Sequence, residues 1–498
     1  MQLLIIIATF ALFSSFPAFA SSFNESLMVE GHSSYLTKNP DETNEWKLKL
    51  IREANTSIEM STGYCKGKVF ENLIDAVSLQ LNSNPSIKIH LLMFQLLDFV
   101  SEENHTALNR LQKQYPDRFN FAITFETRLI NNEGKPFFSE DHTKLIIIDE
   151  KYFLLGGTNL IDHLSTSDVN KSPPDDSIPS YFLPRAANDM DVIGSGPMAK
   201  KLRKEFFELF AFHKAGESFE QKKGEFVPAH TEYFAVEEEE KTYIAEFEEN
   251  PETIHNVKMF GVIAGPRIRL HAIGNIYEYL IDKARLSIDI GNMYFFPRES
   301  IYNALLNAAN RKVALNIITN GAHDELSVSN STRHLYGHIN RMNYFPAMAG
   351  KHFKIWEMFS AKNTVPKNTS IYELDLSGVL YHKKVMAVDH RYAIVGSYNL
   401  GMKSEEAAFE VVVVIDSPMT AKQLETILNK DKNNSIQISY SQAMAWYFNP
   451  FYNAADLLEK RYCDGIILRV DQKMLEDEFE SPKPYYPEDE EDPLIELS

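Results

Sequence analysis

Two stretches of this chain place the same reactive side chains at the same spacing. DHTKLIIIDEKYFLLGGTNL (residues 141–160) carries His142, Lys144, Asp149, Gly156 and Asn159. YHKKVMAVDHRYAIVGSYNL (residues 381–400) carries His382, Lys384, Asp389, Gly396 and Asn399, each 240 positions downstream of its counterpart. Histidine exchanges protons near neutrality and can attack as a nucleophile. One histidine from each copy, brought face to face, supplies a nucleophile and a general acid. Lys144 and Lys384 add two positive charges, and Asn159 and Asn399 add amide donors just past a glycine-containing bend. Such a set suits a phosphodiester, whose developing oxyanion needs fixed donors. A lone His-x-Lys-x4-Asp match can arise by accident, whereas two with matching Gly and Asn offsets mark a duplicated site.

Each copy reads as a β-hairpin with a charged turn. Residues two apart on a strand share a face, so His142 and Lys144 are expected to address one point, as are His382 and Lys384. Asp149 and Asp389 have the wrong parity to lie beside the histidines and fall at the turns, which they are expected to fix. The two ammonium groups depress the imidazole pKa values, so each ring needs a carboxylate behind it. In the first half, NDMDVIGSGP places Asp189 eight residues before Pro197. In the second, AAFEVVVVIDSP places Glu410 eight residues before Pro418. Asp189 is therefore expected to orient the first-half histidine, with Asp191 as its rival, and Glu410 the second.

The elements around these hairpins repeat as well. SIEMSTGY (57–64) resembles SIDIGNMY (287–294), and each leads into an amphipathic helical pattern, ENLIDAVSLQL (71–81) and ESIYNALLNAA (299–309). Further strands follow as IKIHLLMF and FNFAITFE in one half, VALNIITN and FKIWEM in the other. Strands alternating with helices predict an α/β chain of two pseudo-symmetric domains. Each would be a mixed β-sheet flanked by helices, with the active site at their interface. The expected boundaries are 21–215, an acidic linker at 216–256, 257–470 and an acidic, disordered tail at 471–498.

The first 20 residues, an apolar core ending in Ala18-Phe19-Ala20, read as a signal peptide for export to the periplasm or beyond. No Lys or Arg precedes the apolar run, and an uncleaved anchor is the alternative. The net charge of −19 argues against a surface that wraps nucleic acid. Cys65 and Cys463 have no metal-ligand spacing around them, and no metal or other cofactor is expected. Whether the two cysteines pair is not decided by their spacing.

On these residues the chain resembles the phospholipase D superfamily, whose signature is a duplicated His-x-Lys-x4-Asp followed by Gly-[Gly/Ser]-x-Asn. GGTNL and GSYNL look most like the bacterial cardiolipin-synthase type. The resemblance implies a metal-independent phosphodiesterase or phosphatidyltransferase working through a phosphohistidine. His142 would attack phosphorus, and His382 would protonate the leaving alcohol. Lys144, Lys384, Asn159 and Asn399 would bind phosphate. One departure stands after GSYNL: many relatives carry Asp-Pro-Arg-Ser where this chain has Gly401-Met402-Lys403-Ser404. With both motifs in one chain, a monomer is expected. The expected partner is a phospholipid at a membrane surface, with the insert around Pro173, Pro174, Tyr181, Phe182 and Pro184 as a lid. Tyr294, Phe295 and Phe296 could face acyl chains, with ordinary core packing as the alternative. The alternative is an exported nuclease using the same chemistry.

Overall fold

The computed structural model describes residues 23–94, 102–124, 127–130, 136–168, 171, 186–220, 245–266, 268–320, 352–358 and 379–448. The segment expected as a signal peptide, the Pro-rich insert expected as a lid, residues 221–244 of the expected linker, the acidic tail and Cys463 lie outside the described residues.

The two halves repeat one strand order. In the first, neighbours run Phe119–Thr124, Lys88–Phe94, Ser57–Thr62, Leu145–Ile148, Tyr152–Gly156, Asp191–Ser195 and Val29–Leu36. In the second they run Phe353–Met358, Ala314–Asn320, Ser287–Asn292, Lys384–Val388, Tyr392–Gly396, Ala408–Asp416 and Ile254–Ala264. The first three strands of each series are parallel and the rest antiparallel. Val29–Leu36 also pairs antiparallel with Ile254–Ala264, so the halves join edge to edge.

Burial explains the composition of the central strands. Leu145–Ile148 and nearly all of Ala408–Asp416 are buried, which fits near-continuous apolar runs in a sheet covered on both faces. The helix Lys68–Ser83 buries Phe70, Leu73, Ile74, Val77 and Leu81, the helical spacing read from the sequence. Its counterpart Glu299–Asn310 buries Ile301, Leu305 and Ala308 in the same way. Each fully buried Leu, Ile or Phe stabilises by roughly 1.5–3 kcal/mol. Asn39 caps the helix Pro40–Arg52 by accepting from the Glu42 N–H, and Ser417 caps Pro418–Asn433 through Thr420. A third apolar core, including Phe206, Leu202, Val413 and Leu428, draws on both halves and glues them together.

Both predicted hairpins form. Asp149 and Glu150 have φ of 54° each, and Asp389 and His390 have φ of 53° and 56°. Two successive left-handed residues make the tight turn that suits strand twist. The Asp side chains do more than shape the turn. Asp149 accepts from the backbone N–H groups of Asn55, Thr56 and Ser57 and from the Thr56 hydroxyl. Asp389 accepts likewise from Arg285, Leu286 and Ser287. Each motif aspartate thus ties its hairpin to the start of the adjacent strand.

Candidate active site

His142 and Lys144 do not share a strand as period two suggested. Pro136–Asp141 ends before His142, and Leu145–Ile148 starts after Lys144. The physical reason is a change of partner. Before the break the strand lies parallel to Ala408–Asp416 of the other half, with Glu140 opposite Ala408 and Asp141 opposite Phe409. After the break it joins its own sheet beside Ser57–Thr62. The second copy does the same: Val379–Tyr381 lies parallel to Ala186–Asn188 of the first half, and Lys384–Val388 returns to Ser287–Asn292. Each histidine sits where the chain crosses between halves.

The crossing decides which acid meets which ring. The His142 N–H donates to the Phe409 carbonyl (2.9 Å), and the next side chain on that strand is Glu410. Glu410 lies 3.0 Å from His142 Nδ1 through both carboxylate oxygens. The His382 N–H donates to the Asn188 carbonyl (2.9 Å), and the following residue, Asp189, lies 2.6 Å from His382 Nδ1. Asp189 and Glu410 are the orienting acids, but the expected pairing within each half is reversed. Asp191, the rival, serves a different end: it accepts the Thr158 N–H (3.0 Å), while Lys47 donates to the Thr158 carbonyl (2.8 Å). This pair holds the bend that carries Asn159.

With Nδ1 engaged by an acid, Nε2 of each ring is the nitrogen left for chemistry. Both rings are nearly buried, at 7% and 3% exposure. Burial and the Lys144 ammonium hold His142 well below the usual imidazole range. Burial and Lys384 bring His382 down to about 4. Burial also lowers Lys144 to about 8 and Lys384 to about 7. The acids diverge. Burial works to raise Asp189, but His382 and Lys384 outweigh it and keep the carboxyl below its ordinary value. Glu410 is pushed up to about 8 by burial, against the pull of Lys144 and two hydroxyl donors.

Lys144 Nζ donates to the His142 carbonyl (2.8 Å) and Lys384 Nζ to the His382 carbonyl (2.5 Å), so each ammonium folds back beside its histidine. The Asn159 side-chain oxygen accepts from the Tyr64 N–H (3.4 Å), and its buried Nδ2 has no partner among the described residues. Asn399 has a buried Oδ1 that likewise has no partner among the described residues. The bend glycines are needed for space. A Cβ on Gly156 would collide with Asp191, one on Gly157 with Asp189, and one on Gly396 with the Val411 carbonyl. Where the first copy has Gly157, the second has Ser397, whose hydroxyl donates to Glu410 (2.5 Å).

Several contributors escaped the sequence reading. Ser404 also donates to Glu410 (2.5 Å), and the Tyr64 ring lies edge-on to His142 with centroids 6.5 Å apart. Asp141, fully buried, accepts from Thr143 and Ser61 and shapes the break beside His142. The signal for Tyr64 lay in the repeat that aligns it with Tyr294. Tyr294 packs with Tyr64 on a small apolar cluster that includes Ile161, Met293 and Leu380. Phe295 follows the core-packing alternative: it is fully buried in the second-half core, where its backbone bridges to Leu400. Cys65 is buried, which pushes its thiol up to about 12. Among the described residues no three His, Cys, Asp or Glu converge to hold a metal ion, and no helix is long and apolar enough to cross a membrane.

Comparison with known proteins agrees with this geometry. Residues 277–432 match the family described as "Cardiolipin synthase, PLD-like domain". An uncharacterized protein of Helicobacter pylori is 21% identical over 439 residues, covering 80% of this chain and 79% of that protein. Cardiolipin synthase 1 of Staphylococcus epidermidis is 29% identical over 173 residues, which is 34% of this chain and only 30% of the synthase. The crystal structure of phosphatidylserine synthase from Haemophilus influenzae Rd KW20 shares the fold, with a TM-score of 0.58 and 12% identity. It covers 87% of this chain and 94% of that one. The duplicated, acid-backed histidine motif on this fold defines a phospholipase D-like protein. The findings support membership of the phospholipase D superfamily, with the family match itself confined to residues 277–432.

Proposed function

We propose that this protein cleaves or transfers phosphodiesters of phospholipids through a phosphohistidine on His142. The observation that carries the reading is the pair of acid-backed histidines, each flanked by a buried lysine, built from both halves of one chain. In the first step His142 Nε2 attacks phosphorus, forming the N–P bond as the P–O bond to the leaving alcohol breaks. The His382 imidazolium gives that oxygen its proton. Lys144, Lys384 and the two asparagines face the equatorial oxygens, where charge gathers. In the second step neutral His382 takes a proton from water or an acceptor alcohol, whose oxygen displaces His142.

The asymmetry of the acids supports this division of labour. Asp189 stays ionised and sits 2.6 Å from His382, which favours the imidazolium an acid needs. Glu410, whose carboxyl burial pushes up, favours a cation on His142 less, which suits a neutral, attacking ring that gives its Nδ1 proton to that carboxylate. Burial and the lysines disfavour His382 as a cation. An arriving diester anion offsets those lysine charges and raises its pKa. We further propose that the protein acts as an exported monomer on lipid surfaces.

The test incubates the purified protein with phosphatidylcholine vesicles, phosphatidylglycerol vesicles and single-stranded DNA, with and without EDTA. Expected are headgroup release, or phosphatidyl alcohol when a primary alcohol is added, both insensitive to EDTA. His142→Ala and His382→Ala should each abolish turnover. Cleavage of DNA alone would sink the lipid reading, and substantial activity in either variant would sink the paired-histidine mechanism.

A further inference from the structure

After Gly401 comes a short helix, Met402–Glu406, that no step above uses. Three consecutive residues on it reach in three directions. Lys403 forms an ion pair with Glu140 (2.7 Å), two residues before His142. Ser404, 8% exposed, donates to Glu410 Oε1 (2.5 Å), the carboxylate behind the same histidine, and receives the Asn399 N–H (3.3 Å). Glu405, 3% exposed, accepts from His271 Nδ1 (2.8 Å), from Arg298 and from the Tyr398 hydroxyl. Arg298 is held in turn by Asn275 (2.6 Å) and Glu278 (2.8 Å).

These contacts anchor the helix to the second half through Glu405 and hang Ser404 over Glu410. The Glu405 clamp leaves the helix little freedom, and Gly274 permits it: a Cβ there would collide with Glu405. Ser397 covers the other Glu410 oxygen, Oε2, so the two hydroxyls hold the carboxylate from both sides with His142 Nδ1 between them. Asp189 is fixed differently, by the backbone N–H of Met190 (2.8 Å).

We infer that Ser404 is a positioning residue for the reaction: it acts through Glu410 to fix the orientation and the Nδ1 proton of His142. The inference rests on the paired-histidine reading above. A hydroxyl-to-carboxylate bond of this kind sets the fraction of time His142 Nε2 points at phosphorus, so its loss falls on the chemical step and spares binding.

The experiment compares full-length wild type with Ser404→Ala, Ser404→Thr and, as a control on an exposed helix end, Ser83→Ala. Steady-state kinetics on the phosphodiester that wild type cleaves should show kcat of Ser404→Ala down roughly ten- to a hundredfold, with KM within about twofold. Ser404→Thr should recover most of the rate, and Ser83→Ala should match wild type. A kcat for Ser404→Ala within about twofold of wild type, or a threonine variant as slow as the alanine one, would overturn the inference. Should wild type cleave no diester, the functional reading fails by itself, and 15N-histidine NMR then decides the positioning claim. The His142 Nδ1 resonance, assigned by its loss in His142→Ala, should move in Ser404→Ala and stay put in Ser83→Ala. An unmoved resonance would refute it.

Discussion

Substituting Asp189 by Asn tests the crossed pairing and the roles of the two histidines together. Asp189 lies in the first half, yet its carboxylate supports His382 of the second at 2.6 Å, inside a site where both groups are buried. Losing a charge-assisted bond there, with a buried imidazolium left behind, costs about 2–4 kcal/mol in the step that needs the cation. That is roughly a 30- to 1,000-fold loss of rate. The loss should depend on the leaving group. An alkoxide such as a lipid headgroup alcohol needs the proton from His382, whereas p-nitrophenolate leaves without it. Stopped-flow measurement on a p-nitrophenyl phosphodiester should therefore show Asp189→Asn keeping its nitrophenol burst, within about fivefold of wild type, followed by slow turnover. The slow phase arises because His382 must also activate water. With an alkyl leaving group the same variant should lose the burst. Glu410→Gln, acting behind His142, should lose the burst with both substrates. If Asp189→Asn loses the nitrophenol burst while Glu410→Gln keeps it, the roles of the histidines are exchanged. Equal loss in both variants on both substrates would refute the leaving-group argument altogether.

The pH profile carries a second expectation. Lys384 and Lys144 are lowered by burial to about 7 and about 8, and an ammonium is charged only below its pKa. Capture of an anionic diester, read as kcat/KM, should fall as pH rises through that range, while the kcat limb lies higher because bound phosphate restores the charge. A kcat/KM flat to pH 9 would count against lysine recognition, as ordinary lysines titrate at roughly 10.4. The motif aspartates answer to another assay. Asp149→Ala strips the acceptor from three backbone N–H groups and should lower stability by about 2–4 kcal/mol in urea denaturation, with the nitrophenol burst per folded molecule unchanged. A stable variant without a burst would place Asp149 in the chemistry instead.

Much of this site was legible because a duplicated motif counts residues, and spacing survives without coordinates. The spacing singled out His142 and His382, each with its buried lysine beside it, and the parity argument placed Asp149 and Asp389 at the turns. The strand series was visible for the same reason: buried strands must be apolar runs, and VALNIITN or FKIWEM can hardly be anything else in a repeated α/β unit. Asp189 and Glu410 were found by their common distance from a proline. Their partners were not, because period and spacing describe one chain segment at a time and two similar halves offer two equally regular pairings. The choice belongs to the parallel contacts of Glu140 with Ala408 and of Asn188 with Tyr381, made between strands more than 190 residues apart. Those contacts exist because each half packs its edge against the other, and a backbone N–H at each histidine must find a carbonyl when it is buried. The carbonyl it finds belongs to the residue before the other half's acid. Ser404 went the same way, brought to Glu410 by packing that no local pattern records.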